Sequence, residues 1–182
     1  MTPPKKFEFR PTLRGELVEL IPLEPEHFET LFAVASDPKI WEQHPKWDRY
    51  KREVFEKFFA ERIAWAGSLL VKDRATGAVI GSSSFKQREP DVVEIGWTFL
   101  ARSHWGGRYN GEMKRLMLRH AFGHFPRVIF VIGPNNLRSR KAVEKIGGVF
   151  QEEGVSDDGT PRVIYRIDKA NFESRDRQAS TR

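Results

Sequence analysis

The chain has 182 residues, no cysteine, a net charge of +6 and an isoelectric point near 9.7, a length that fits one undivided core and a composition that excludes disulfides, thiolate-ligated metal and thiol catalysis. The basic excess sits mostly at the two ends, which read as frayed: Lys5, Lys6, Arg10 and Arg14 face Glu8 alone, and after residue 170 three arginines face Glu173 and Asp176, so nucleic acid is not an expected partner. With no basic-then-apolar leader and no apolar run of bilayer length, neither export nor a membrane partner is expected, and the cytoplasm is the default location.

After a proline-containing lead, Glu16 to Ile21 alternates like a half-buried strand and Pro22 ends it. Pro25-Glu26 suits a first helical turn. Phe28, Leu31, Phe32 and Ala35 then recur at i, i+3, i+4 and i+7 until Asp37-Pro38 breaks the helix. An irregular aromatic stretch, residues 40–47, precedes a helix over 49–66 whose inner side is Val54, Phe55, Phe58, Phe59 and Ile63. Three strands follow as an antiparallel meander: 68–72, 79–86 and 92–100. A glycine-dense loop opens the next helix, whose apolar face holds Met113, Leu116, Met117, His120, Ala121 and Phe125, with His120 read as a satisfied core histidine. Val128 to Ile132 predicts a strand buried on both faces. Asn136 caps a short helix that ends at Gly147-Gly148. Strands 149–154 and 162–168 flank the turn at residues 156–159, and the polar tail from Glu173 reads as disordered. This order predicts an α+β fold with a mixed, mostly antiparallel sheet.

A strand, the loop Trp105-Gly106-Gly107-Arg108-Tyr109-Asn110-Gly111 and a helix N-terminus together make an anion site, because first-turn N–H groups lack intrahelical partners and the helix dipole adds positive potential. A phosphorylated cofactor follows from that pattern. No His-Glu-x-x-His or comparable spacing points to a metal.

Three segments carry a resemblance: Glu94-Ile95-Gly96-Trp97, the Trp105-Gly106-Gly107 loop, and Asn136-Leu137-Arg138-Ser139 running on to Gly147-Gly148. Over residues 13–169 the chain resembles the GNAT acyltransferases, and within them the RimJ/RimL-type ribosomal-protein N-terminal acetyltransferases. Residues 1–12 would be an N-terminal extension and 170–182 a polar C-terminal tail. The resemblance implies a splayed strand pair, 92–100 and 128–132, that holds the pantetheine arm of acetyl-CoA, with a bulge placed at Gly96 beside Trp97. Gly96 serving only to avoid a packing clash is the other reading.

Trp105 and the backbone from Gly106 to Gly111 would hold the pyrophosphate. The family pattern expects glycine where Arg108 stands and glycine or alanine where Asn110 stands, so Arg108 either meets phosphate directly or is a solvated loop residue. Asn136, Arg138 and Arg140 would also serve the cofactor, the two arginines at the CoA phosphates or else as a solvated basic face. Without cysteine, direct attack by an amine in a ternary complex is favoured over an acyl-enzyme. Glu94 is the candidate base, with a structural ion pair as its alternative. Many relatives keep a tyrosine at the position of Val143, so Ser139 is the substitute donor to the leaving thiolate, with backbone capping as its other role.

Trp41, His44 and Trp47 would border the acceptor, although both tryptophans could instead seal helices onto the sheet; Tyr109 and His104 are further pocket candidates. The acceptor, a small molecule or a protein N-terminus, stays open among N-termini, polyamines, amino acids and aminoglycoside-like amines. A homodimer is compatible with the resemblance. The departures at Arg108, Asn110 and Val143 keep a second reading in view, a non-catalytic domain that binds acyl-CoA or a protein partner.

Overall fold

The computed structural model describes residues 6–156 and 158–180. The first five residues of the expected extension, Asp157 of the last turn and the final two tail residues lie outside the described residues. One eight-stranded sheet runs in the order β1 (Leu13–Arg14), β2 (Val18–Pro22), β3 (Ser68–Asp73), β4 (Val79–Glu89), β5 (Val92–Leu100), β6 (Arg127–Ile132), β8 (Pro161–Asp168) and β7 (Val149–Val155). All neighbours are antiparallel except β5 and β6.

The two faces of the sheet bury separate cores. On one, α1 (Phe28–Ala35) and α2 (Arg52–Trp65) place Leu31, Phe55, Phe58 and Phe59 against Leu70 and Phe99. On the other, α3 (Arg108–Ala121) sets Met113, Met117 and Leu118 on Val93, Ile95 and Phe130. Glu112 fixes α3 to the first hairpin, since its carboxylate accepts the N–H groups of Glu16, Leu17 and Val18, each at 2.8 Å. α4 (Leu137–Lys145) follows β6, and Gly147, at φ +102°, supplies the left-handed residue that ends it.

Three expectations change. The tail is helical: α5 (Lys169–Ser180) buries Phe172, whose ring lies 5.2 Å from that of Phe122. A single aromatic among polar neighbours gave no periodic signal. The lead is held as well, because Phe7 packs on Phe85, Phe125, His120 and His124. His120 is accordingly half-buried beneath this segment, with Nε2 2.7 Å from the Glu8 carbonyl oxygen. Third, β6 buries only Val128, Phe130 and Ile132 fully; Ile129 and Val131 stay half-exposed.

That last difference positions the site. β5 and β6 pair only over Val92–Glu94 and Arg127–Ile129, and past Glu94 they diverge. On its other edge β5 bulges: between Ser82 and Ser84 it advances three residues, Phe99 to Gly96, while β4 advances two. The bulge centres on Trp97, at φ +52°, one residue beyond the expected Gly96. A Cβ at Gly96 would come 2.9 Å from Glu94 Oε1, so a side chain there would displace that carboxylate.

If α5 completes the core, Phe172→Ala should lower the unfolding free energy by about 3 kcal/mol, near the bottom of the range for buried phenylalanine. Urea denaturation measures it. A loss under about 0.5 kcal/mol, typical of surface substitutions, would show α5 to be dispensable.

Candidate active site

A cleft of about 1600 Å³ opens where β5 and β6 part, and its walls draw on both faces of the sheet. Residues from Ile95 to Leu100 form one edge and Phe130 to Gly133 the other, with α4 across the gap.

One end offers backbone donors that lack partners. Gly106 and Gly107 adopt φ +103° and +112°, which side-chain-bearing residues rarely do, and the chain then enters α3 with no side-chain cap. Gly111 N–H reaches Gly107 O at 2.7 Å, so the preceding first-turn N–H groups keep no helical acceptor. A Cβ at Gly106, Gly107 or Gly111 would meet nothing within 4 Å. Open space and uncapped donors coincide there, beside Trp105 and Asn110.

Trp105 is tied to the end of β5 by Nε1 to Leu100 O at 2.9 Å, and the Arg138 guanidinium stacks 4.0 Å from its ring. Arg138 also donates to Ile40 O at 3.3 Å, so it clasps the loop, α4 and residues 40–43 together. Arg140 does not line the cleft. Helical rotation turns it away from Arg138, and it donates instead to the Tyr165 hydroxyl (3.0 Å) and Pro134 O (2.9 Å). The cleft-facing cations of α4 are Arg138, Lys141 and Lys145, at i, i+3 and i+7. Arg108 is solvent-exposed and Tyr109 packs edge-on to His104 at 4.6 Å; neither lines the cleft, whereas His104 does. Asn136 caps α4 by accepting from Ser139 N–H at 3.2 Å. The capping oxygen is therefore asparagine's, and Ser139, with Val143, borders the cleft.

At the bulge, Glu94 is 2% exposed and its carboxylate accepts from Arg88 Nε at 2.5 Å. Burial raises its pKa above the ordinary glutamate value, and Arg88 opposes that rise. Arg62, 6% exposed, has Nε and Nη1 without an acceptor, its guanidinium 4.1 Å from the Trp65 ring and 4.8 Å from that of Trp97. Below the sheet, Lys114 is 4% exposed and donates to Thr98 Oγ1 at 2.5 Å and Ser83 Oγ at 3.3 Å. Burial pushes its pKa down to about 7.

On the α2 side, Trp41 and His44 line the cleft and Trp47 does not. Trp41 is buried, with Nε1 bonded to Ala35 O at 2.7 Å, which gives it the sealing role as well. Trp47 lies in the open beside Tyr50 and Lys51. The sequence reading passed over Arg62, Lys114, Arg49 and Arg88. Two had a signal: Arg62 falls four residues after Phe58, and Lys114 three before Met117, so both are charges on buried helical arcs.

A family model described as an acetyltransferase (GNAT) domain matches residues 18–149. The chain belongs to the GNAT acetyltransferase family. This GNAT protein is thus an acyl-CoA-dependent acetyltransferase, in a family that uses acetyl-CoA and amine acceptors. Its fold is shared with a GCN5-related N-acetyltransferase from Brucella melitensis (20% identity, TM-score 0.76, 90% of this chain and 81% of that one) and a GNAT-family protein from Chromobacterium violaceum ATCC 12472 (20%, 0.79, 95% of each). It is also similar to Mycobacterium smegmatis RimJ, solved in complex with CoA-disulfide (18%, 0.64, 85% and 83%). No curated protein matches the sequence. Among the described residues no helix is long and apolar enough to cross a membrane, and no group of three or more His, Asp or Glu could hold a metal ion.

Lys114 offers a test of this GNAT cleft's electrostatics. Its folded pKa of about 7 lies below the ordinary 10.5, so between those values the unfolded chain binds more protons and stability rises with pH. The stability of the native protein minus that of Lys114→Met should therefore grow from pH 7 to pH 10 in urea titrations. A pH-independent difference would place the lysine at its ordinary pKa.

Proposed function

We propose that this protein transfers the acetyl group of acetyl-CoA to a primary amine by direct attack in a ternary complex. The observation that carries the reading is the coincidence, in one cleft, of the β5–β6 gap, the bulge at Trp97 with Glu94 beside it, and the uncapped N-terminus of α3. In this reading the first-turn N–H groups of α3 and the side chains of Arg138 and Lys141 bind the CoA phosphates, with Trp105 and Asn136 holding the walls. The acetyl thioester supplies an activated acyl group.

Backbone groups freed by the bulge orient the acyl carbonyl, as oxyanion donors do. Glu94 takes the proton of the acceptor, directly or through water; its raised pKa makes it a better base than an exposed glutamate. Ser139, whose hydroxyl has no hydrogen-bond partner among the described residues, supports the departing sulfur where Val143 offers no hydroxyl. The Asn136–Gly148 motif and the likeness to RimJ support a place in the RimJ/RimL-type branch.

The second reading, binding without transfer, draws on the side chains of Arg108 and Asn110 at positions where glycine or alanine is expected. Thiol release from acetyl-CoA over an amine panel, with CoA affinity measured in parallel, separates the two: binding without turnover would favour the second, and no binding would remove both. Glu94→Gln should lower kcat by about 10²- to 10³-fold, within the span of general-base contributions, and leave CoA affinity unchanged. Arg138→Ala and Lys141→Ala should each weaken CoA binding by about 1 to 3 kcal/mol. Calorimetry showing full affinity in either variant would take that residue out of the phosphate site.

A further inference from the structure

The part of the cleft beyond Glu94, facing α2, carries a surplus of positive charge. Arg49, Arg62, Lys86, Arg88 and Arg162 line it. Its acidic groups are few and mostly committed. Glu94 is held by Arg88, and Asp158 accepts from Lys46 at 3.0 Å and from Ser156 at 2.8 Å. Glu61 is largely exposed and approaches Arg62 Nη2 only to 3.7 Å.

Two observations show donors that lack an acceptor. The first is Arg62, with Nε and Nη1 buried and unpaired although the rings of Trp65, Trp97 and Phe58 hold the guanidinium in place. Such groups cost free energy unless something completes them. The second is the pair formed by His44 and Arg49. Lys46 N–H donates to His44 Nδ1 at 2.9 Å, so a neutral ring must carry its proton on Nε2. Burial, with Arg49 and Arg162 nearby, pushes the His44 pKa down to about 3, which keeps the ring neutral. Nε2–H and Arg49 Nη1–H then stand 3.3 Å apart, two donors with no acceptor between them.

Arg49 is itself poorly compensated. Among the described residues no carboxylate lies within 4 Å of it, and its guanidinium rests 4.3 Å from the Phe58 ring. Arg62 sits 5.4 Å from that same ring, so both cations share one aromatic floor.

We propose that the acceptor is a primary amine that carries a carboxylate, bound by His44, Arg49 and Arg62 with its nitrogen toward Glu94. The inference rests on the acetyltransferase reading and names its substrate class. Guanidinium forks match the planar carboxylate, and the aromatic floor suits a singly charged group that sheds water more readily than a phosphate dianion. A polyamine or aminoglycoside would bring further positive charge against five cations. The same charge favours loss of the acceptor's ammonium proton. In the transfer, the amine nitrogen bonds to the acetyl carbonyl carbon and the carbon–sulfur bond breaks. The ammonium proton leaves through Glu94 to solvent before attack, and the second proton lost by the nitrogen as the amide forms goes to the thiolate, giving free CoA and an N-acetylated acid.

The test compares kcat/KM for matched pairs: L-glutamate with its diamide, 4-aminobutyrate with its amide, and C-terminally amidated dipeptides beginning with Glu or Gln, with spermidine as the cationic member. At least tenfold preference for the carboxylate of one pair is expected, with spermidine the poorest; the free acids and the dipeptides tell a free amino acid from an acidic N-terminus. Arg62→Met and Arg49→Gln should reduce that ratio to threefold or less. Equal use of the amides, preference for spermidine, or a ratio that survives both substitutions would overturn the proposal. If CoA binds but nothing turns over, the acetyltransferase reading fails separately, and calorimetry with the CoA-bound protein still decides. Binding of the carboxylate member alone, lost in Arg62→Met, supports the site; indifference between pair members refutes it.

Discussion

The site depends on a ladder that stops. β5 and β6 exchange backbone bonds over three residues and then part, so the strand ends offer N–H and C=O groups to whatever enters the gap. Two features keep it open. The bulge turns β5 at Trp97, and α4, capped by Asn136, spans the opening and prevents the strands from zipping together. A tryptophan in left-handed conformation costs on the order of 1 to 2 kcal/mol. The T-shaped contact with Trp65, at 4.3 Å between centroids, and the Arg62 guanidinium hold it there. Strain of this kind persists only where packing over-determines it.

The charges around this gap are arranged against stability. Lys114 sits fully buried with two hydroxyl oxygens as partners and no carboxylate, and Arg62 keeps two donors unpaired. Apolar residues of similar shape would fill either place at lower cost. The aromatic rings beneath Arg49 and Arg62 recover part of the desolvation through cation–π contact. They do so without consuming the N–H groups, so Nε and Nη1 of Arg62 stay buried without an acceptor beside the cleft. A scaffold that only needed solubility would have placed these side chains outward.

Much of this was legible from sequence and some was not, for physical reasons. The helices at 28–35 and 108–121 announce themselves by 3.6-residue periodicity, and Asn136 and Gly147 mark the ends of α4 as capping chemistry requires. β1 was invisible because two residues carry no period. α5 and the segment around Phe7 were misread since a lone aromatic in a polar stretch looks like noise until the core it fills is known. In sequence, Arg138, Arg140 and Lys141 look alike as candidates for the cofactor phosphates. Helical geometry sorts them differently, since Arg138 and Lys141 share a face that Arg140 does not. Val128 to Ile132 read as doubly buried because an apolar strand beside an open cleft has the same composition as one in a closed sheet.

Both ends of the cleft favour negative charge, yet the reaction begins with a cation, the acceptor's ammonium. In the proposed mechanism these demands fit together at Glu94. It is the one buried carboxylate bordering the cleft among the described residues, and it lies against Gly96 where a side chain would collide with it. A surplus of fixed positive charge destabilises the ammonium and stabilises the departing thiolate, so the same field acts favourably on both changes of charge. Burial raises the proton affinity of Glu94, while Arg88 keeps the carboxylate oriented and limits that rise. Were Arg88 absent, the proton affinity of the buried acid would rise further. The position of a single carboxylate, set by a bulge one residue away from a glycine, thus connects the broken ladder of the sheet to the direction in which the proton would move in the proposed transfer.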